Sequence, residues 1–280
     1  MTIIDYLAPL AEDVQDVNGT CLQGPVPVSS ARTNSGKRLT EMVQTSTRKF
    51  PLISVITVVY NGAAQLRATI ESVLQQRRDD LEYIVVDGGS TDGTRDVLLS
   101  FNSQLDYWVS EPDHGIYDAM NKAINLARGQ FIYHLNIGDR LLHIPKIFDE
   151  PVPEDAICIA GVVQTSANGL HIPSAGVALR FHNTLHHQGC FYRRTPDLRY
   201  DLRYKVFADF DLNQRLLSSG RRIILCSDVV AFHDAEGISH TTNRFFEVYS
   251  IVRQNFGPWW VAVCFAYFKY TGLLKRLKVS

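Results

Sequence analysis

The five cysteines of this sequence form no pairs. Cys21, Cys158, Cys190, Cys226 and Cys264 are odd in number, widely spaced and never arranged as CxxC. A disulfide framework needs an even set and a four-thiolate zinc site needs close pairs, so neither is expected. Isolated thiols are typical of a reducing compartment, which predicts a cytoplasmic location.

The chain has no surplus of charge of either sign. It carries 28 basic and 29 acidic residues, for a formal net charge of −1. A general nucleic-acid binder needs a clear excess of Lys and Arg, so no nucleic-acid partner is expected. Long apolar runs are also missing, and a membrane span needs about 18 such residues or more. Asp5, Glu12 and Asp13 interrupt the N-terminus, where a secretory signal needs an apolar core.

The composition is nevertheless that of a folded protein, because apolar residues make up 45% of the 280 positions. Residues 15–50 are poor in large apolar side chains and rich in small and polar ones. This predicts that 1–50 is a flexible or loosely docked extension. The pattern changes at Pro51, where we place the start of a domain over 51–240. Residues 241–280 are expected to form C-terminal helices.

From Pro51 onward, buried strands alternate with helices. Continuous apolar runs predict strands over 52–60, 81–87, 106–111 and 131–139, because a strand buried on both faces shows no alternation. Helices are predicted around 66–74, 95–101 and 116–128. This order predicts an α/β fold whose mainly parallel central sheet is flanked by helices. The later part is less regular, with strands predicted over 156–164, 187–194 and 222–232 and helices over 207–220 and 242–255.

Four polar clusters fall at the predicted carboxyl ends of the first four strands. They are Tyr60-Asn61-Gly62, Asp87-Gly88-Gly89-Ser90-Thr91-Asp92-Gly93, Glu111-Pro112-Asp113-His114-Gly115 and Asn136-Ile137-Gly138-Asp139. Each cluster alone suits an ordinary turn, because Gly, Asn and Asp supply turn geometry. Parallel sheets bind ligands beyond the carboxyl ends of their strands, so four clusters on one edge favour a binding site.

Two carboxylates in these clusters suit different tasks. Asp87 can accept hydrogen bonds from a base N–H or a ribose hydroxyl, and the glycines after it allow a close backbone approach. Asp139 can hold Mg²⁺ or Mn²⁺ against a diphosphate, since both metals prefer oxygen ligands. No G-x-G-x-x-G follows the first strand, so a dinucleotide fold is not predicted.

The succession PLISVITVVYN, IVVDGGSTDGT, SEPDHGIYDAMNKAI and FIYHLNIGD resembles that of inverting family-two glycosyltransferases with the GT-A fold. HHQGCFYRR and FADFDLNQRL further resemble the subgroup that builds bacterial exopolysaccharides of the colanic-acid or O-antigen type. The resemblance covers about residues 51 to 240. It implies a Rossmann-like donor half over 51–140 and a smaller, mixed acceptor half over 141–240.

The resemblance also implies roles for individual residues. The donor nucleotide-sugar would be bound by Tyr60, Asn61, Asp87, Gly88, Gly89, Asp113, Gly115, Asn121 and Asn136, with Lys122 as a further candidate. Asn136-Ile137-Gly138 stands where the family has its D-x-D metal motif. Related exopolysaccharide enzymes have a similar N-x-G-D version, so the next residue, Asp139, is the implied metal ligand. His187 and Gln188 match a segment that lines the acceptor side.

Asp209 matches the position of the family's catalytic base. The alternative is a carboxylate that only complements the dipole at a helix N-terminus, an interpretation we favour for Asp211. Arg193 and Arg194 either meet a diphosphate or lie on a solvated strand face. His182, His186, His187, His233 and His240 fit no compact zinc motif and are expected to be ordinary satisfied or exposed side chains.

The C-terminal segment is aromatic, apolar and basic. Residues 259–268 are all apolar, no acidic residue follows Glu247, and the basic residues Lys269, Lys275, Arg276 and Lys278 come after the apolar run. Such a helix either lies in an anionic membrane interface or packs on the domain with a solvated basic end. The first alternative predicts peripheral contact with the inner face of the cytoplasmic membrane.

The function implied is that of a hexosyltransferase-type enzyme of bacterial surface polysaccharide synthesis. It would move a sugar with inversion from a nucleotide-diphospho-sugar, most commonly a UDP-sugar, to a polyprenyl-diphosphate-linked or oligosaccharide acceptor. Asp209 would act as general base, and a divalent cation would stabilise the leaving diphosphate. The alternatives are a non-catalytic nucleotide-sugar-binding protein and a scaffold of a polysaccharide assembly complex. A sugar nucleotidyltransferase is disfavoured, because no Gly-rich basic loop follows the first strand.

Overall fold

The computed structural model describes residues 32–38, 50–166, 169–234 and 245–277. Within these ranges ten strands form one sheet. The strands are β1 (Thr33–Ser35), β2 (Ile53–Val59), β3 (Leu81–Asp87), β4 (Tyr107–Ser110), β5 (Phe131–His134), β6 (Arg140–Leu141), β7 (Ala156–Thr165), β8 (Leu170–His171), β9 (Cys190–Arg193) and β10 (Arg222–His233). The helices are α1 (Ala63–Gln75), α2 (Thr94–Ser100), α3 (Ile116–Leu126), α4 (Ala208–Ser218), α5 (Phe245–Phe256) and α6 (Pro258–Leu277).

The sheet runs in the order β1-β4-β3-β2-β5-β9-β7-β10-β6, with β8 paired to β7. Strands β4, β3, β2 and β5 are parallel neighbours, and so are β7 and β10. Because β9 pairs antiparallel with both β5 and β7, the two parallel groups point the same way. The predicted α/β fold with a mainly parallel central sheet is confirmed. The carboxyl ends of six strands therefore share one edge.

The central strands are apolar throughout because both faces of the sheet are covered. Every residue of β2 and β3 is buried. Ile56 and Ile84 belong to the core that contains α3 and α4, whereas Val55 and Val85 belong to the core that contains α1. Burying one such aliphatic side chain contributes about 1.5–3 kcal/mol, so the uninterrupted runs account for the stability of this central layer.

Two strands are shorter than their apolar runs predict. The fourth predicted strand ends at His134, because Asn136–Asp139 turns away with Gly138 at a φ of +88°. The strand predicted over 187–194 begins only at Cys190, after a short 3-10 turn over His187–Gly189. In both places, polar residues of the candidate site are among those outside the ladder, namely Asn136 and Asp139 in the first and His187 and Gln188 in the second.

Part of the N-terminal extension is docked on the sheet. β1 pairs antiparallel with β4, with Thr33 opposite Ser110. Arg32 forms an ion pair with Glu111 at 3.3 Å, and Arg38 donates to the Leu126 carbonyl at 2.7 Å. The sheet therefore begins ahead of the boundary expected at residue 51. Positions 1–31 and 39–49 of the predicted extension lie outside the described residues.

One side of the C-terminal helix packs on the domain. Cys264 of α6 is buried, and its thiol donates to the Phe181 carbonyl at 3.1 Å. Trp260 and Tyr267 contact the Phe181 ring, at centroid distances of 6.1 and 5.3 Å. The packed-helix alternative therefore describes this side of α6. Among the helices that the structure describes, none is long and apolar enough to cross a bilayer.

Candidate active site

The first two polar clusters form one hydrogen-bonded unit at the ends of β2 and β3. The Asn61 backbone N–H donates to the Ser90 hydroxyl at 2.7 Å, and the Thr91 N–H donates to Asn61 Oδ1 at 2.9 Å. Asn61 holds a left-handed φ of +49°, which asparagine tolerates better than most residues. The loop after β2 is thus held against the loop after β3.

Asp87 lies at the end of β3 with no exposed surface. Its carboxylate accepts the Ser110 hydroxyl at 2.6 Å and the Ser90 backbone N–H, and it also accepts the Ser90 hydroxyl. These bonds tie the loop after β3 to the end of β4. In this conformation the oxygens of Asp87 are used by the protein's own donors, so its contact with a nucleotide stays a prediction.

The structure brings three of the predicted donor residues together around Gly88. A Cβ at Gly88 would clash with Asp113 Oδ2 and would lie 3.3 Å from the Tyr60 ring. Asp113 Oδ1 accepts the Gly115 N–H at 2.8 Å, and Gly115, with a φ of +116°, precedes the first residue of α3. Tyr60 is 64% exposed, so its ring is available to a ligand.

Asn121 and Lys122 are used within the fold. Asn121 donates to the Tyr200 carbonyl and accepts the Tyr200 N–H, both at 2.9 Å. Lys122 donates to the Pro112 carbonyl at 2.7 Å and lies 3.6 Å from Glu111. Asn121 therefore positions the segment around Tyr200. Lys122 holds the polar cluster after β4 in place through Pro112 and Glu111.

The polar cluster after β5, Asn136–Asp139, contacts His233, a residue distant from it in sequence. Asp139 is buried, and its Oδ1 accepts both His233 Nδ1 at 3.0 Å and the Asp234 N–H at 2.8 Å. Asn136 Nδ2 lies 3.0 Å from His187 Nε2, while Asn136 Oδ1 is buried without a hydrogen-bond partner. His233 is 94 residues from Asp139 in sequence, and no spacing rule connects them.

These groups suit a metal ion that is bound partly by the protein and partly by a substrate, rather than one enclosed by protein ligands alone. In the described part of the chain, no group of three His, Cys, Asp or Glu residues is arranged to hold a metal. Mg²⁺ is commonly bound by one or two carboxylates together with substrate phosphates. The Asp139 carboxylate, the orphaned Asn136 Oδ1 and the His233 imidazole fit a divalent cation that takes its remaining ligands from a diphosphate.

Asp209 lies in the first turn of α4 and reaches the same edge. Asn183 Nδ2 donates to its Oδ2 at 3.0 Å, and His187 Nδ1 lies 3.8 Å from that oxygen. The carboxylate keeps 14% of its surface exposed, which leaves it accessible. Since His187 also contacts Asn136, it stands between the predicted base and the predicted donor residues. Asp211 turns away, pairing with Arg215 at 2.8 Å.

A buried glutamate organises the turn that leads into α4. Glu247 of α5 accepts the backbone N–H groups of Lys205, Val206 and Phe207 at 3.0–3.3 Å. These N–H groups precede or open the helix and would otherwise lack partners inside the fold. The C-terminal helices thus support the segment that carries Asp209. This role of Glu247 could not be predicted from the sequence, because nothing local to residue 247 signals it.

In the described part of the chain, His134 is buried, His182 and His186 are half-buried, and none of the three joins a group of three possible metal ligands. His186 lies 4.8 Å from His233 and 5.3 Å from His187 between ring centroids. Burial, with a smaller effect of His187, lowers the pKa of His186 well below its usual value. Burial likewise lowers the pKa of His134 to about 3, so both rings are neutral at physiological pH. His240 lies outside the described residues.

Three other candidates offer no exposed side-chain group to a ligand at the open edge: Arg193 and Arg194 pack at the opposite edge, and Gln188 is buried. Arg193 donates to the Ala156 carbonyl at 2.6 Å, and Arg194 donates to the Gly129 carbonyl at 3.0 Å. Both bonds are at the amino-terminal ends of parallel strands, which favours a packing role over diphosphate contact. The Gln188 side chain is fully buried and its amide atoms have no partner, so its acceptor contact stays a prediction.

Comparison with known proteins finds a consistent set of similarities. Residues 54–136 match the sequence model described as Glycosyl transferase family 2. Over 209 residues the chain is 32% identical to the PGL/p-HBAD biosynthesis glycosyltransferase of Mycobacterium bovis (strain BCG / Pasteur 1173P2), covering 68% of this chain and 80% of that protein.

Solved structures share the fold at low sequence identity. S. aureus TarS 1-349 in complex with UDP-GlcNAc has a TM-score of 0.58 and 17% identity, covering 72% of this chain and 66% of that one. The chain spans 38% of a longer TarS chain. The mannosyltransferase PcManGT from Pyrobaculum calidifontis, in complex with GDP-Man and Mn²⁺, has a TM-score of 0.58 and 16% identity. The match covers 78% of this chain and 70% of that one.

Proposed function

Because the chain belongs to glycosyl transferase family 2, and is therefore a glycosyltransferase, we propose that it transfers a hexose with inversion from a nucleotide-diphospho-sugar. The acceptor we propose is a lipid-linked sugar, such as a polyprenyl-diphosphate-linked one, or an oligosaccharide of bacterial surface polysaccharide synthesis. The observation that carries the proposal is His187, which lies between Asp209 and Asn136. A base and a donor cluster at one sheet edge are what a single displacement requires.

The donor would lie along the loops after β2, β3 and β4. Tyr60 offers an exposed ring, and Gly88 leaves room for Asp113 beside it. The proposed pocket also includes Asn61, Asp87, Gly89, Gly115 and Asn121. Of these, Asn61, Asp87 and Asn121 would act by holding the surrounding loops in place. We propose a UDP-sugar as donor, and the UDP-GlcNAc and GDP-Man bound by the two structural neighbours make both nucleotides worth testing.

Asp209 would remove the proton from the acceptor hydroxyl as general base. The hydroxyl oxygen then attacks the anomeric carbon from the face opposite the diphosphate, which leaves as the glycosidic bond forms. A base acting in one displacement needs no covalent enzyme intermediate. His187 and Gln188 would line the acceptor side, with His187 the more accessible of the two.

Asp139, Asn136 and His233 would hold the proposed cofactor, Mg²⁺ or Mn²⁺. When bound, a divalent cation stabilises negative charge on a leaving diphosphate. The protein's own contribution is the buried Asp139 carboxylate, whose orientation is fixed by His233 and the Asp234 N–H.

We expect a nucleotide diphosphate to raise the melting temperature of the protein, and Mn²⁺ to increase that rise. A ligand that binds only the folded state at a hundredfold excess over its Kd stabilises by about 2.7 kcal/mol. The measurement is thermal shift with UDP, GDP, dTDP and CDP, each with and without Mn²⁺. A nucleoside monophosphate is the control, since it lacks the second phosphate that a shared cation needs.

No shift with any nucleotide, in a protein shown to be folded, would contradict the donor proposal. A normal shift with no transfer to any acceptor would favour the rival interpretation, a non-catalytic nucleotide-sugar-binding protein. The replacement of D-x-D by Asn136-Ile137-Gly138 is the feature that motivates this rival.

The outer side of α6 is proposed to contact an anionic membrane, which would place the protein at the inner face of the cytoplasmic membrane. Trp259, Phe265 and Tyr270 are 74%, 55% and 62% exposed. They lie on the side of the helix away from buried Cys264, together with exposed Lys269. Exposed aromatic residues beside basic ones suit the headgroup region of such a membrane.

We expect the combined variant Trp259→Gln, Phe265→Gln and Tyr270→Gln to bind vesicles at least about tenfold more weakly, because it loses the three large exposed apolar side chains among the described side chains of α6. The assay is sedimentation with vesicles containing about one-third anionic lipid. The control is Leu99→Gln, which removes an equally exposed apolar side chain from α2. Unchanged vesicle binding would leave α6 as a packed helix only.

A further inference from the structure

A chain of buried polar side chains runs through the fold to Asp209. The Tyr192 hydroxyl donates to Asn213 Oδ1 at 3.0 Å, and Asn213 Nδ2 donates to Asn183 Oδ1 at 3.1 Å. Asn183 Nδ2 then donates to Asp209 Oδ2 at 3.0 Å. Tyr192 and Asn213 are fully buried, so water does not compete for the first links.

The donor and acceptor orientation of each amide in this series of hydrogen bonds is fixed by its neighbours. The Asn213 amide nitrogen faces two acceptors, the Leu185 carbonyl at 3.1 Å and Asn183 Oδ1. Turning the Asn213 amide over would place oxygen against oxygen at both positions and leave the Tyr192 hydroxyl facing a donor. The Asn183 oxygen is therefore directed toward Asn213, and the Asn183 nitrogen toward Asp209.

The other oxygen of the base remains available. Tyr117 lies 3.4 Å from Asp209 Oδ1, but its single hydroxyl hydrogen is directed to the Val206 carbonyl at 2.6 Å. A hydroxyl has one hydrogen to donate, and the shorter contact takes it. Asp209 Oδ2 thus accepts the Asn183 amide, whereas Oδ1 receives no hydrogen from the Tyr117 hydroxyl and is the oxygen better placed to accept a proton.

We propose that Asn183 is a positioning residue for the catalytic base: it holds Asp209 so that Oδ1 faces the acceptor hydroxyl, and Asn213 and Tyr192 set the orientation of its amide. This inference rests on the proposed function, in which Asp209 is the base. It adds a residue from the irregular segment between β8 and β9 to the site.

The backbone near Asn183 is anchored independently. Phe181, two residues earlier, packs against Trp260 and Tyr267 of α6, and its carbonyl accepts the Cys264 thiol. Asn183 therefore has a fixed backbone as well as a fixed amide. The helix proposed to contact the membrane thus packs on the segment that orients the base.

The experiment compares Asn183→Ala and Asn183→Asp with the unaltered chain. In Asn183→Ala, kcat is expected to fall about 10- to 100-fold with the donor KM within about twofold, because misplacing a catalytic group acts on the transition state. The acid limb of the pH–kcat profile is expected to move up by about one unit, since the carboxylate loses a hydrogen bond to its charged form. Asn183→Asp should move it further, because it adds a like charge.

The pH profile must be interpreted against the other titratable groups that face Asp209. These are Tyr117 from α3, His187 from the 3-10 turn, Tyr192 from β9 and Tyr200 from the loop before α4. Burial raises the pKa of all three tyrosines well above its usual value, so none of them titrates on the acid limb. The variant His187→Gln removes the imidazole that faces Asp209. Adding Asn183→Ala to this variant should move the acid limb by the same amount as it does in the otherwise unaltered protein.

The matched control is Asn255→Ala. Asn255 donates to Asp211 at 3.1 Å, which is the same kind of bond to the same helix but not to the base. It should lower thermal stability and leave the pH profile unchanged. Tyr192→Phe lies two hydrogen bonds away from Asn183, through Asn213, and should show the Asn183→Ala shift at smaller amplitude. It provides the test if Asn183→Ala does not fold.

Two outcomes would overturn the inference. One is wild-type kcat and an unmoved acid limb in Asn183→Ala and Tyr192→Phe. The other is the same shift in Asn255→Ala, which would make the effect one of general stability. Asp209→Asn separates the inference from the proposed function. If that variant is inactive while Asn183→Ala behaves as wild type, only the positioning role fails, and if it is active, the base assignment fails.

Discussion

Replacing Asp209 by Asn is expected to lower kcat about 1000-fold or more while nucleotide affinity stays within about twofold. The amide has the shape of the carboxylate, and its oxygen can still accept the bond from Asn183 Nδ2. It cannot take a proton from an acceptor hydroxyl at neutral pH. The loss should therefore appear in kcat, measured by sugar transfer, and be absent from the nucleotide thermal shift.

Asp211→Asn is the matched control, two residues further along the same helix. Asp211 is buried and pairs with Arg215, and it accepts the Asn255 amide at 3.1 Å. Its replacement should reduce thermal stability and leave kcat close to that of the wild type at temperatures where the variant is folded. Full activity in Asp209→Asn, or a kcat loss confined to Asp211→Asn, would refute the assignment of Asp209 as the base.

Replacing Asp139 by Asn is expected to lower transfer about 100-fold and to remove the part of the nucleotide thermal shift that depends on Mn²⁺. The asparagine oxygen can still accept the bonds from His233 and the Asp234 N–H, so the local fold should persist. The variant lacks the negative charge that a divalent cation prefers in a ligand. Thermal shift with UDP, with and without Mn²⁺, and a transfer assay measure the two effects.

Asp106→Asn is the control for Asp139, because it changes another buried carboxylate of the same sheet. Asp106 accepts the Tyr83 N–H at 2.8 Å and pairs with Arg77 at 3.3 Å, outside the four polar clusters. This variant should have a lower melting temperature but keep the part of the nucleotide thermal shift that depends on Mn²⁺. An undiminished Mn²⁺ increment in Asp139→Asn would mean that Asp139 is not a metal ligand.

The elements of the donor half could be predicted closely because their signals are local. The run over 81–87 gives β3 with its predicted bounds, and the helical spacing of Leu66, Ile70 and Val73 gives the buried face of α1. The edge at which the polar clusters meet also follows from the sequence, since parallel strands end on the same side. Tyr60, Gly88 and Asp113 are indeed neighbours there.

The docking of β1 was not predictable. A three-residue strand whose side chains are all polar shows no hydrophobic periodicity, and its position depends on backbone bonds to β4. The roles of Asn121 and Gln188 show the same limit. Their side chains are polar and match a family pattern, yet the structure engages one with Tyr200 and buries the other completely.

Residue order was thus enough to predict an α/β sheet, its polar edge and the separate candidates Asp87 and Asp139, and the resemblance to a known family added Asp209. Tertiary structure decided which of these meet: His187 between Asn136 and Asp209, His233 on Asp139, and Asn183 on Asp209. The physical reason is range. Strand burial, helical periodicity and turn chemistry act between residues close in sequence, whereas these contacts join residues 22 to 94 positions apart, which only the packing of β9, β10 and α4 on the sheet brings within hydrogen-bonding reach.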